Sequence, residues 1–489
     1  MPINPSNMRV VDVARLLNST SFGFVLAQAR LYREFNRVGF RIGSSENPRN
    51  INLLKYIAWM FDRKHTPEET SGARSYEDRR NAERDRQAEQ SLAGRDIGQL
   101  PEVVNPDRKA ACERNFQLFC ESYFPETYSL AWSPDHLKVI EKIETAVLRG
   151  GLFALALPRG SGKTTITESA ALWSMLYGHR EFVVLIGATE SAALELLDSL
   201  KTELEVNERL AEDFPEVCYP VAQLEGIANR CAGQLYKGER TRITWTSNEI
   251  VLPTVEGSRA SGIIVRVAGI TGRIRGMKFK RSDGRNVRPS LVVIDDPQTS
   301  ESAGSLEQTR KRVRVLAGDI LGLAGPGQKI SGIMPCTIIR PGDMADIILN
   351  RNTHPDWNGE KTRMVYRFPT NMKLWEEYAE IRAEALRTEG NFQKATEFYL
   401  ANREAMDAGA EVSWEARFNH DEVSALQHAM NLKFQDEAAF MSEYQNDPLP
   451  DDTADDSLLS VDEICAKING LARRRVPLKC DRLTMFVDV

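Results

Sequence analysis

The residues of this chain best suited to chemistry are two pairs. Lys163 and Thr164 follow the glycines of PRGSGKTT, and Asp295 and Asp296 end the apolar run of PSLVVIDDPQT. In the first stretch, Gly160 and Gly162 let the backbone close around a phosphate, and the N–H groups of a following helix start favour an anion. Pro158, Arg159, Gly160, Ser161, Gly162, Lys163, Thr164 and Thr165 are therefore the expected nucleotide-binding residues. Lys163 would reach the β- and γ-phosphates, and Thr164 would ligate magnesium. The usual G-x-x-x-x-G-K-[ST] spacing begins with glycine, whereas Leu157 stands here. In the second stretch, Asp295 would hold the metal through water, and Asp296 would orient and deprotonate the attacking water. Glu is the commoner choice at that second position. Taken alone, Asp-Asp-Pro also reads as a strand ending at a polar turn. Paired with the glycine loop, the two carboxylates complete an ATP and Mg2+ site.

Other groups could serve the same reaction. Phosphoryl transfer needs positive charge on its transition state. Arg159 lies inside the loop, and Arg273 and Arg275 lie in the Gly-rich basic AGITGRIRGMKFKR. The latter two read as a finger acting on a neighbouring subunit, as DNA contacts, or as a solvated basic loop. Pro335, Cys336 and Thr337 follow the apolar run of residues 329–334, where a polar tip can sense the γ-phosphate.

The elements that must position these residues follow from the apolar pattern. GLFALAL (151–157), FVVLIG, LVVIDD and KISGIM are short apolar runs separated by helical stretches, and TRITWTSNEIVLP reads as a hairpin with a Ser-Asn turn. That alternation predicts an α/β fold, a mostly parallel sheet covered by helices on both faces, over residues 106–365. Residues 366–450 read as a helical lid, with NMKLWEEYAEIRAEALRTEGNFQKATEFYLANREAMDAG as one long amphipathic stretch. Residues 65–105 read as a charged linker: from Arg74 to Gln90 five positive and five negative residues stand among almost nothing apolar, which suits an exposed helix or disorder. Residues 1–64 hold ten Lys/Arg against four Asp/Glu, or +6. Their order of helix, turn, basic helix and possible wing outlines a winged helix-turn-helix, with Arg30, Arg33, Arg37 and Arg41 as DNA-contacting candidates. The alternative is a small helical interaction module with a solvated basic face.

Composition bounds the rest. At 489 residues the chain is long enough for several domains. A net charge of −6 argues against a histone-like partner but not against local basic patches. Seven dispersed cysteines without a C-x-x-C pair suit reduced thiols in a cytosol-like compartment. No apolar run reaches the length of a membrane helix, and the N-terminus lacks a signal-peptide pattern.

Taken in order, PRGSGKTT, GITGRIRGMK, LVVIDDP and FMSEYQNDP resemble the large terminase subunit of tailed bacteriophages, from about Asn115 onward. YFPETYSLAWSPDHLKVI resembles that family's lead-in, where the nucleotide base docks. The resemblance implies an ATP-driven motor that translocates double-stranded DNA into a procapsid in the host cytoplasm. It would work as a homo-oligomeric ring with a portal and a small terminase subunit. It assigns Lys163 and Thr164 to phosphate and magnesium, Asp295 to magnesium, Asp296 to catalysis and Arg159 to a family habit. Thr337 falls in a coupling motif, where Cys336 replaces the usual small residue. Residues 451–489 would be a linker and the first strand of an RNase H-like nuclease, with Asp488 in LTMFVDV as its first metal ligand. The expectation is ATP hydrolysis without DNA cleavage by this chain. The competing readings are a helicase-like translocase, which would need a second α/β lobe, and a DNA-binding scaffold with a vestigial loop.

Overall fold

The computed structural model describes residues 4–19, 27–28, 31–33, 35–36, 42–65, 95–281 and 283–450. The chain divides into two compact units, Met1–Gln90 and Ser91–Val489.

The first unit packs helices α1 (Val10–Asn18) and α2 (Leu53–His65) around a small core. That core includes Val13, Leu31, Ile42, Ile51 and Tyr56. FRIG and INLL, read as the sides of a wing, contribute only isolated antiparallel bridges, Gly43 to Ile51 and Met8 to Ile51. Leu53 and Leu54 open α2 instead. Asn52 accepts from the Lys55 N–H at 3.1 Å, and Leu53 and Tyr56 bury one helical face three residues apart. Arg33 is exposed. Arg30, Arg37 and Arg41 lie outside the described residues, as do most of the charged linker and all of residues 451–489, Asp488 included.

The second unit is built on an eight-stranded, mostly parallel sheet. Its strands in chain order are β1 (Leu152–Ala156), β2 (Phe182–Gly187), β3 (Thr244–Trp245), β4 (Glu249–Val251), β5 (Ile264–Gly269), β6 (Leu291–Asp295), β7 (Ser331–Cys336) and β8 (Glu360–Lys361). The order across the sheet is β8-β1-β7-β6-β2-β5-β4-β3. Everything from β8 to β5 pairs in parallel, and β3 and β4 add an antiparallel edge.

The strands are apolar throughout because both faces are covered. Phe153, Leu155, Val183, Leu185, Val265, Leu291 and Val293 enter one core. Their neighbours Ala154, Ala156, Val184, Ile186, Ile264, Val292 and Ile294 enter the other. This period of two sorts side chains to opposite faces, and each fully buried aliphatic side chain contributes roughly 1.5–3 kcal/mol. Helices α3 (Pro134–Leu148), α4 (Lys163–Leu176) and α5 (Glu190–Val206) supply the first core. The second takes the segments around Ile274, Leu316 and Met344, flanking α6 (Leu306–Val315).

Two expectations change. β5 was missed: IVRVAG carries Arg266 in mid-strand, where its half-buried charge pairs with the Glu249 carboxylate on β4, 2.7 Å from the Arg266 Nε, and lies over the Phe182 ring. β7 begins two residues later than expected, so Pro335 and Cys336 belong to the strand and Thr337 is the first residue beyond it. The long amphipathic stretch forms two helices, α7 (Met372–Thr388) and α8 (Gln393–Asp407), separated at Gly390 with φ of 69°. They pack with α9 (Ala425–Gln435) through Trp375, Tyr378, Tyr399 and Met430. Among the described residues no helix is long and apolar enough to cross a membrane.

Candidate active site

Three neighbouring parallel strands, β1, β7 and β6, end side by side, with Ala156 level with Cys336 and Val293 level with Ile333. Ligands of open α/β sheets bind at this carboxyl edge. The loop after β1 carries Lys163 and Thr164, the end of β6 carries Asp295 and Asp296, and the end of β7 carries Thr337.

The loop is shaped by its glycines. Gly160 and Gly162 have φ of 76° and 75°, a region that costs other residues steric strain. Ser161 folds back, its hydroxyl donating to the Pro158 carbonyl at 2.7 Å. Gly162 is the residue before α4, and no side chain caps that helix. The N–H groups of its first turn therefore point out of the helix end with its positive dipole. A Cβ added to Gly162 would meet nothing within 4 Å, whereas one on Gly160 would meet Arg417 Nη2 at 3.1 Å, so the loop is open at Gly162.

Lys163 Nζ lies 2.9 Å from Asp296 Oδ2 and also donates to the Thr337 hydroxyl. Thr164 Oγ1 is 3.2 Å from each oxygen of Asp295. Asp296 has φ of 35°, unusual for a residue with a side chain, and its N–H donates to Pro335 at the end of β7 at 3.0 Å. The two carboxylates differ in setting. Burial, with Asp296 beside it, pushes Asp295 up to about 6 despite the Thr164 hydroxyl and Lys163. Lys163, Thr164, Asp296 and Thr337, with Arg159, Gly160, Thr165, Gln298 and Glu443, line a cleft of about 590 Å³. Clefts of about 570 and 590 Å³ elsewhere match it in size, so the side chains and not the volume single it out.

Arg159 sits on the rim, its side chain exposed and 3.8 Å from the Glu443 carboxylate, while its N–H donates to the Glu443 carbonyl at 2.8 Å. Arg275 is not brought to this cleft. Its Nε pairs with Asp319 at 2.5 Å, just beyond α6.

Several residues here were not read from the sequence. Gln298, in the quoted PSLVVIDDPQT, donates to the Thr337 carbonyl at 3.1 Å and to Asp343 at 2.7 Å, fixing the start of the loop after β7. Asn446 holds the next N–H, that of Ile338, at 3.0 Å. The carbonyl of Arg159 accepts from Arg417, which lies over the Tyr444 ring, and that of Ser161 contacts His136 Nε2 at 3.0 Å. Glu168, one turn after Thr164, is pushed up to about 7 by burial and by Asp295 nearby. FMSEYQNDP contained Glu443, Tyr444 and Asn446, but no local pattern tied them to a loop some 280 residues earlier.

Thr164 and Asp295 suit Mg2+ in number and kind. Mg2+ takes one or two protein oxygens and leaves its other positions to water and phosphate. The Thr164 hydroxyl on Asp295 leaves lone pairs of that carboxylate open, which is compatible with a cation there. Among the described residues no group of three or more His, Cys, Asp or Glu is arranged as a protein-only metal cage. No family model and no curated protein matches the chain.

Proposed function

We propose that the chain is an ATP-hydrolysing motor subunit of a phage terminase that drives double-stranded viral DNA into procapsids. The observation that carries the hydrolytic part is the joint arrangement of Lys163, Asp296 and Thr337 beside Thr164 and Asp295, at the ends of three adjacent strands. In this reading residues 158–165 are a P-loop. Its N–H groups and Lys163 hold the phosphates, and Thr164 and Asp295 hold Mg2+, which supplies charge neutralisation on the phosphate oxygens. Asp296, released from Lys163 when phosphate competes for that ammonium, orients water and takes its proton. Thr337 reports the state of the phosphates to the loop that Gln298 and Asp343 hold. The groove of Trp132, Tyr366 and Trp414 suits a base, and His136 links it to the loop through Ser161.

The DNA-packaging part rests on the ordered motifs and on the basic segments of the chain. Partners in this reading are duplex DNA, a portal and procapsid, a small terminase subunit and further copies of the chain in a ring. Residues 1–64 would bind duplex DNA with marked salt dependence. The test is Mg2+-dependent ATP turnover, with and without duplex DNA, by the wild type and by Lys163→Ala. The expected result is turnover that DNA stimulates and that the variant lacks. No turnover in the wild type favours the scaffold, and strand separation of a fork without capsids favours a helicase.

A further inference from the structure

The site described above uses none of the cations in two neighbouring segments, residues 270–280 and 306–320. Together they hold eight Lys/Arg and two Asp/Glu, a net of +6 in a chain of net −6. In the first, GRIRGMK alternates by burial. Ile274 and Met277 enter the core with Leu316 and Ile320, while Arg273, Arg275 and Lys278 are exposed. The apolar residues anchor the loop, and the cations are what it presents. In the second, Thr309 and Arg312 of α6 are buried, while Arg310, Lys311 and Arg314 are exposed. The segments meet where Arg275 pairs with Asp319. Among the described residues Arg273, Lys278, Lys280, Arg310, Lys311 and Arg314 make no ion pair.

We infer that these two segments form the surface that takes the sugar–phosphate backbone of duplex DNA, and that Arg312 ties this surface to the catalytic turn. The inference rests on the reading of the chain as a DNA motor. Its chemistry is that of a linear polyanion. The cations come singly and spread along both segments, while their one Gln and one aromatic side chain, Gln308 and Phe279, are half-buried. A motor that moves along any sequence needs backbone contacts of this kind. Anchoring also matters, because a loop already held by Ile274 and Met277 loses little conformational freedom on binding. The link to hydrolysis is a specific contact: buried Arg312 donates from Nε to the carbonyl of Pro297 at 3.2 Å, and Pro297 follows Asp296. A shift of α6 under DNA is thereby passed to the carboxylate turn. Arg312 is a positioning residue, since it touches no reacting atom.

The test uses the full chain. Arg310→Gln/Lys311→Gln/Arg314→Gln should lower the slope of log K against log salt for a duplex by about 2.7, at about 0.9 for each lost phosphate contact. Basal ATP turnover should be unchanged and DNA stimulation reduced. Arg273→Gln/Lys278→Gln should lower the slope by about 1.8. Arg312→Lys, the conservative change, and Arg312→Ala should both keep the duplex slope while losing stimulation; a thermal melt separates misfolding from uncoupling. An unchanged slope in both multiple variants overturns the surface, even if the wild type hydrolyses ATP. Polyglutamate competing as well as duplex at equal charge also overturns it, in favour of an acidic protein. Absent turnover in the wild type defeats the motor reading, while a lowered slope would still uphold the surface.

Discussion

Two carboxylates of this protein, Asp213 and the half-buried Asp295, have opposite fates. Asp213 is fully buried, at the end of the helix Glu208–Asp213. It accepts from Arg108 Nε at 2.6 Å, the Tyr123 hydroxyl at 2.7 Å and the Asn105 N–H at 3.1 Å. Burial alone would raise its pKa, but the hydrogen bonds from Arg108 and Tyr123 outweigh it and hold the carboxyl below its usual range. Asp295 has one hydroxyl donor, Thr164, shared between its oxygens, and a second carboxylate next to it. The protein surrounds the first group with donors and gives the second a single hydroxyl. A carboxylate taken out of water with few donors is costly to ionise, which is why its pKa rises.

The largest effect expected is on turnover. Lys163→Ala and Asp296→Asn should each lower ATP hydrolysis about 10²–10³-fold or more, with nucleotide binding kept in Asp296→Asn. Unchanged turnover in the second, read by phosphate release, would remove Asp296 from its role.

Next comes the structural carboxylate. Arg108→Ala leaves Asp213 buried with its charge uncompensated and should cost about 3–5 kcal/mol in urea unfolding. Adding Asp213→Asn should recover part of that loss. If Arg108→Ala is neutral, the contrast with Asp295 collapses.

Asp295→Asn should do the reverse in the metal-free protein. The raised pKa means the folded state holds this proton more tightly than the unfolded chain does. Stability from this group is therefore present at low pH and lost as pH rises from about 4 to about 6. At pH 7.5 the amide should be more stable than wild type by about 1–2 kcal/mol, and at pH 4 the two should agree. Mg2+-dependent turnover should vanish with the carboxylate. Equal urea midpoints at both pH values would show that Asp295 is not held short of donors.

The smallest effect belongs to the one donor. Thr164→Val removes the hydroxyl, should cost about 0.5–1 kcal/mol, and should steepen the loss of stability with rising pH. A flatter pH profile would contradict the bond.

The parts of the site that were legible were local. Short apolar runs marked β1, β2 and β6, and GSGKT and DD stood at strand ends, where polar residues have a reason to be. β5 was not legible, because Arg266 hides a strand until its partner Glu249 is found on β4. The break at Gly390 was also hard to see, since a single glycine is tolerated in many helices. Arg417, His136 and Glu443 were invisible in the site for another reason: their partners are backbone carbonyls, which leave no pattern in side-chain types.

By itself, the sequence determined the chemical pairs and the local geometry that presents them. Glycines allow positive φ, a helix starts at Lys163, and an apolar strand ends on two acids; each follows from neighbours along the chain. Only the tertiary structure decided that these pairs meet. Lys163 and Asp296 are 133 residues apart, and Asp296 and Thr337 are 41 apart. Their contact depends on β7 lying between β1 and β6 in parallel register, a choice made by packing two cores against one sheet and not by any short stretch of residues.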